Sequence, residues 1–466
     1  MKAIRVLSLL LALLLLPLPV RAEDAGDSPL MTWYAAGEEA REAEMEAISR
    51  AKTHPCVYIT TLDGRAILSR DEYVPSVIDV FNCPEEFRLT ATGGVKVRGN
   101  STATQSEEKP YRIKFDKKQG MLGLHDGEKY KSWVLLRSYW NLAPDFMAFT
   151  LARAMFGTER YVSDCTYVNV YINGQSMGVY LLCEQNQAAD GRVSVHEPKK
   201  GETGREIGYL LELDNYPSDE HPYIWIGEFP EVEDIAGEKR AIRGRCYSIK
   251  SDITAPRQKQ WIQRWMNGTF TILYEAAVNE RPMRHGLNGQ AVYAEGMHLT
   301  PYEAVNRVID VASLVDMVIL EELVHNYDVG EGSFYMAIDF SEGSAYPRLT
   351  FLAPWDFNWA YDGAADGGYY AVTFQPEAAD SDRSNGWMIL AMKAPWFRDL
   401  VRKRWRELRE SGVLERAVSE VVDECGSLAN DLGPDQNWRI YCAMDIAAFV
   451  RGRMEWLDSQ WLTDDE

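Results

Sequence analysis

The dipeptide Asn173-Gly174 constrains this chain more than any other feature, because it joins two apolar runs, CTYVNVYI (165–172) and QSMGVYLLCE (175–184). Both residues tolerate the positive φ that a two-residue hairpin turn demands. The runs are therefore read as an antiparallel pair. Further strands are read at CVYITT (56–61), at RAILSR (65–70) and through EFRLTATGGVKVRGN (86–100). In KPYRIKFDKK (109–118), Tyr111, Ile113 and Phe115 alternate with Arg112 and Lys114, the period of a half-buried strand with a basic outer face. Segment 142–157 (LAPDFMAFTLARAMFG) has apolar residues at helical spacing and a glycine stop. One antiparallel sheet with one helix is expected for this first part.

Beyond His196 the pattern is less regular. A strand is read at GYLLELDNY (208–216), helices at 257–278 and from Tyr302 through Val324, and loop-plus-strand at HNYDVGEGSFYMAIDF (325–340) and RLTFLAPWDFNWAYD (348–362). Residues 396–424 and 436–461 read as Trp-rich helices of a packed bundle. The chain is divided into a leader (1–22), a charged helical appendage expected to pack only weakly (23–54), a sheet-rich part (55–195) and a mainly helical part (196–466).

A length of 466 residues with 46% hydrophobic content excludes a disordered chain, a collagen-like fibre and a small disulfide scaffold. The formal charge of −21 repels phosphate backbones and anionic lipid, so no nucleic-acid partner is expected. Lys2 and Arg5 precede the apolar run Val6–Leu16, and Val20-Arg21-Ala22 supplies a small-residue cleavage site. This reads as a secretory signal, shorter than the ~20 apolar residues of a membrane span. A secreted or cell-envelope location without a membrane anchor is expected. None of the seven cysteines forms a CxxC, which argues against zinc. Cys56 with Cys83 and Cys425 with Cys442 bracket compact segments and are the candidate disulfides, while Cys165 and Cys183 read as buried thiols.

Polar residues interrupt apolar runs at His325-Asn326-Tyr327-Asp328 and at Trp355-Asp356-Phe357-Asn358. Carboxylates at the ends of rigid elements are placed for metal binding or proton abstraction, and helix-capping or turn roles are the competing reading. Arg98-Gly99-Asn100-Ser101-Thr102 is a basic, hydroxyl-bearing turn, with Lys109, Arg112 and Lys114 just downstream. A cationic strand opposite two carboxylates suggests an anionic ligand held with a divalent cation. A solvated strand face is the alternative.

The order RGNST, KPYRIKFDKK, WVLL, NGQSMGVYLLCEQ, GYLLELDNY, NYD with SFY, and PWDFNWAYD resembles the CotH family of spore-coat and secreted atypical kinases, over roughly residues 55–410. The resemblance implies an α+β, divergent bilobal protein-kinase-like fold with an antiparallel-sheet N-lobe and a mainly helical C-lobe. The implied activity is transfer of the ATP γ-phosphate to Ser or Thr of a secreted or coat protein, with Mg2+ or Mn2+. Carried onto this sequence, it makes Asp328 the catalytic aspartate and Asp356 the metal aspartate, with Ser333 and Asn358 as further metal ligands. Lys114, with Lys109 nearby, is the candidate phosphate lysine; Arg98 and Asn100 face the phosphates, and Glu184 lies where a hinge meets adenine. The sequence departs from the family pattern in three places. Ser333 stands where Asn is expected, Asn358 where a second Asp is frequent, and Asp145-Phe146 where Arg-Asn is usual. A nucleotide-binding pseudokinase, a kinase-fold adenylyl or glutamyl transferase, and a secreted carbohydrate-active protein are the alternatives.

Overall fold

The structure is a computed structural model that describes residues 28–99, 101–105, 108–137, 141–215, 217, 221–376 and 382–462. The leader read at 1–22 lies outside the described residues. Strands β1 (Cys56–Thr61), β2 (Val74–Phe81), β3 (Leu89–Val97), β4 (Tyr111–Gln119), β5 (Tyr130–Leu136), β6 (Cys165–Ile172) and β7 (Gln175–Glu184) form a closed barrel in the order β1-β2-β3-β4-β5-β7-β6. The one antiparallel sheet expected for this part is thereby corrected to a barrel with one parallel joint. β1 pairs with β6 in parallel, Cys56 opposite Asn169, and that joint removes both sheet edges. The strand expected at 65–70 is irregular and leaves Leu68 exposed; pairing falls instead on Val74–Phe81, whose last six residues are buried. At the expected hairpin, Asn173 and Gly174 have φ of 48° and 84°.

The barrel's two faces differ around its circumference. Ile113, Phe115, Trp133, Leu135, Val168 and Leu182 fill the interior. On β5, β7 and β6 the outward residues Val134, Leu136, Tyr167, Val179 and Leu181 are also buried, in the large core shared with the helices. Strands covered on both faces carry near-continuous apolar runs, which is why WVLL and VYLLC lack alternation. The outer face of β4 is solvated, with Lys114 and Asp116 exposed.

Helices α1 (Pro29–Ala36) and α2 (Glu38–Ala51) precede the barrel, and α3 (Ser101–Gln105) and α4 (Pro144–Phe156) interrupt it. The first two pack more closely than their charge suggests. Tyr34 donates to Asp79 at 2.8 Å, Tyr58 donates to Glu44 at 2.6 Å, and Ile48 packs with Cys56 and Phe81.

The second part contains more sheet than expected. Strands β8 (Gly208–Asp214) and β9 (Tyr223–Ile226) are followed by a hairpin of β10 (Phe229–Glu233) and β11 (Lys239–Ile242), then by β12 (Arg245–Ile249). A second hairpin joins β13 (Met283–His285) to β14 (Ala291–Tyr293), before β15 (Gly332–Asp339) and β16 (Thr350–Phe351). One antiparallel sheet runs β16-β15-β8-β12-β9. Around it lie α5 (Pro256–Val278), α6 (Pro301–Asn306), α7 (Val311–Val324), α8 (Gly386–Lys393), α9 (Pro395–Ser411), α10 (Val413–Ser427), α11 (Ala429–Leu432) and α12 (Trp438–Trp461). The helix expected from Tyr302 to Val324 is two helices, because Asp310 caps a new start by accepting from the Ser313 N–H. Gly412, at φ 65°, likewise divides the helix expected at 396–424.

All seven cysteines are free thiols, so neither expected disulfide is present. The sulfurs have other neighbours: Cys425 lies 3.5 Å from the Tyr167 hydroxyl, and Cys56 is fully buried, its thiol pushed up to about 12 chiefly by burial. Among the described residues no helix is long and apolar enough to cross a membrane.

Candidate active site

Helix α7 ends on His325, whose φ of 51° turns the chain out of the helix. Asn326 then accepts the Asp328 N–H at 3.1 Å, fixing the loop that carries the acid. Strand β15 opens with an irregular pairing to β8 between Gly332 and Phe334, and the residue in that bulge, Ser333, has φ 56°. After β16 the chain reaches Asp356, also left-handed at φ 68°. The loops at 324–328 and 354–362 are tied together: the Tyr361 N–H donates to the Val324 carbonyl at 2.8 Å, and His325 Nδ1 donates to the Asp362 carbonyl at 2.6 Å. Left-handed non-glycine residues cost ~1–3 kcal/mol each and collect at functional sites. Ser333 and Asp356 are two of them, and Ser333 Oγ reaches Asp356 Oδ2 at 3.4 Å.

Asp356 is exposed, and Asn358 donates its amide to Asp356 Oδ1 at 2.8 Å. Behind it, the buried Asp145 in the first turn of α4 accepts the Phe357 N–H at 2.9 Å. Burial first and the Asp356 charge second push Asp145 up to about 7, against the Phe357 N–H and the cation of Arg98. Asp328 is pushed up to about 6 by burial, then by Asp356 and Glu331, with Arg383 opposing. Arg383 Nε lies 3.3 Å from Asp328 and 3.0 Å from Glu331, while its guanidinium donates to the Tyr327 hydroxyl at 2.6 Å and stacks 3.8 Å from that ring. Arg98, at the end of β3, stands 5.5 Å from the Trp355 ring.

The structure thus gathers five of the residues singled out in the sequence: Arg98, Asp328, Ser333, Asp356 and Asn358. The remainder sit elsewhere. Lys114 lies on the solvated outer face of β4, its ammonium 5.8 Å from the Tyr73 ring, and no contact joins it to the acids among the described residues. Lys109 donates to the Ala103 carbonyl at 2.8 Å and so holds the turn after Arg98. Glu184 is fully buried with its polar atoms already engaged. Its carboxylate takes Arg192 at 2.9 Å, His125 at 3.1 Å and the Asp164 N–H at 3.1 Å, while its own N–H and carbonyl pair with Asp164 and Ser163. A nucleobase would have to displace those bonds. Asn100 lies outside the described residues.

Sequence reasoning did not assign roles to Asp145, Glu331 or Arg383. Asp145-Phe146 was noticed only as a departure from Arg-Asn, yet α4 reaches the site through that very residue. Arg383 belongs to SDRSNGW (381–387), which carries no motif, and only the fold brings it against Asp328.

The donors around Asp356 are all oxygens or amides, the chemistry of a hard cation such as Mg2+ or Mn2+. Among the described residues no three His, Cys, Asp or Glu side chains converge into a protein-only cage. Mg2+ commonly uses one or two carboxylates together with substrate phosphates, so this donor set fits it. The site is therefore an acid-rich cluster of oxygen and amide donors where the barrel's β3 and α4 meet the loops that follow α7 and β16, in an α+β protein.

The family model described as CotH kinase protein matches residues 95–245 and 293–452, and the chain belongs to that family. Membership implies kinase-like, transferase-type chemistry with use of a nucleotide and a divalent metal. A comparison with curated proteins finds no match.

Proposed function

We propose that this protein is a secreted atypical kinase that transfers the ATP γ-phosphate to Ser or Thr of a protein, using a divergent bilobal kinase-like arrangement. The observation that carries this reading is the proximity of two unlike carboxylates: Asp356, exposed in a left-handed turn, and Asp328, half-buried and pushed up to about 6 by burial and then by the Asp356 charge. Such a pair separates a metal-holding role from a proton-accepting one.

Asp356, with Ser333 and Asn358, would hold the cation. When bound, Mg2+ or Mn2+ neutralises charge on the β- and γ-phosphates. Arg98 supplies fixed positive charge from the barrel side. Asp328 orients the acceptor hydroxyl and takes its proton, and Arg383 with Asn326 keeps that carboxylate in place. Because Lys114 has no contact with the acids among the described residues, Arg98 takes the cationic role that the resemblance implied for the lysine.

A thermal-shift titration with ATP and Mg2+ or Mn2+ tests the reading. Binding to the native state raises the melting temperature by mass action. The wild type is expected to shift and Asp356→Ala to lose the shift. Transfer of γ-label to protein separates a kinase from an adenylyl transferase, which would transfer α-label. Equal shifts in both proteins, or none in either, overturn the assignment.

A further inference from the structure

One local reversal of charge is unused by the site above. From Pro256 to Tyr274, helix α5 carries Arg257, Lys259 and Arg264 and no acid, in a chain whose net charge is −21. Arg257, Trp261 and Arg264 follow one another at i, i+4 and i+7, so they share one helix face. That face walls a cavity of about 360 Å3, completed by Arg205, Glu206 and Asn288. Lys259 is turned elsewhere, with its ammonium 4.9 Å from the Tyr223 ring.

The three arginines are exposed, and each is held by a backbone carbonyl, with the Thr203 hydroxyl added at Arg257, so that further N–H donors remain for a ligand. Arg257 donates to the carbonyl and hydroxyl of Thr203, Arg264 Nε to the Asn288 carbonyl at 3.3 Å, and Arg205 to the Leu287 carbonyl at 3.2 Å. Arg205 also lies 4.5 Å from the Trp261 ring. Glu206, 3.5 Å from Arg205, is the one carboxylate among the lining residues, so two cations of the lining have no counter-charge within it. The indole Nε1 of Trp261 is buried and has no acceptor in the structure. Guanidinium forks and surplus positive charge match a doubly charged oxyanion better than a single carboxylate.

We propose that this cavity binds a phosphate monoester, of the kind carried by a phosphorylated Ser or Thr side chain. The cavity adjoins the start of β8, whereas Asp214 at the strand's far end lies opposite Gly332, next to Ser333 of the candidate site. A seven-residue strand separates the two by roughly 20 Å. The proposal therefore does not rest on the phosphoryl-transfer reading.

Fluorescence anisotropy with the full-length protein, in the absence of ATP and metal, tests it. The probe is a labelled phosphoserine peptide compared with its unphosphorylated twin. The phosphopeptide is expected to bind about tenfold tighter or more, and Arg257→Gln with Arg264→Gln to abolish that preference. Asp356→Ala is expected to bind like the wild type. Competition by inorganic phosphate at concentrations comparable to the peptide's identifies a free anion as the source, and its failure identifies a chain-borne phosphate. Equal binding of the two peptides overturns the proposal. So does a preference that survives in the double Arg variant or disappears in Asp356→Ala.

Discussion

Two clusters of charge in this molecule, one sealed in the interior and one partly open to solvent, are built on different principles. At the end of the barrel, Glu184 and Arg192 are both fully buried and paired at 2.9 Å, with Arg192 also donating to the Ser132 carbonyl and stacking 3.8 Å from Tyr130. Each donor has an acceptor and each charge a partner. Around Asp356 and Asp328 acids outnumber cations: Asp145 and Glu331 add to them, Arg383 pairs with Asp328 and Glu331, and burial first, then neighbouring carboxylates, push Asp145 and Asp328 upward. A satisfied ion pair holds structure, whereas crowded acids are stable only with a proton or a cation among them, the condition of a working site.

The strongest way to break this comparison is to unpair the barrel cluster. Arg192→Leu should cost ~3–5 kcal/mol, because the fully buried Glu184 loses its arginine and keeps only His125 and the Asp164 N–H. Urea denaturation measures it, and a loss below ~1 kcal/mol would remove the distinction between the clusters.

Asp328→Asn should slow transfer ~10²–10⁴-fold while retaining the nucleotide-dependent thermal shift, since it removes a proton acceptor and leaves Asp356 in place. In the wild type the rate should rise as pH increases through about 6, where Asp328 loses its proton. A flat profile between pH 5 and 7 in single-turnover kinetics, chosen as about one unit on either side, would deny it the role of base.

Asp145→Asn sharpens the contrast through stability. Its folded value of about 7 exceeds the ~3.9 of an unfolded aspartate, so the carboxyl's stabilising contribution is complete below pH ~4 and is lost as pH rises through about 7. Asn keeps an acceptor for the Phe357 N–H and carries no charge. The variant should match the wild type near pH ~4 and exceed it by on the order of 4 kcal/mol at pH ~8. Thermal melts across pH check the crossover. The smallest effect is expected for Lys114→Ala, within ~0.5 kcal/mol in stability and with phosphate transfer nearly unchanged, because its side chain is solvated.

Legibility in the sequence followed the range of the interactions. The Asn173-Gly174 hairpin, the alternation of Tyr111, Ile113 and Phe115, and helix α4 were readable because each is set by neighbours a few positions away. The strand at Val74–Phe81 was missed: both its faces are buried, so no alternation marks it. In the site, Asp328 and Asp356 were legible as acids ending apolar elements. The role of Asp145 was not, since it depends on an N–H more than two hundred positions away, and Arg383 meets Asp328 across a loop without a motif.

The sequence by itself determined the acidic surface, the local strands and helices, and the order of motifs that defines the family. Only the tertiary structure closed the barrel through the parallel pairing of β1 with β6, turned Lys114 to solvent, enclosed Glu184 in an ion pair and brought Arg98 toward the acids. Those outcomes depend on which face of each strand another layer covers, and pairwise burial between distant segments leaves little trace in the order of residues along a chain.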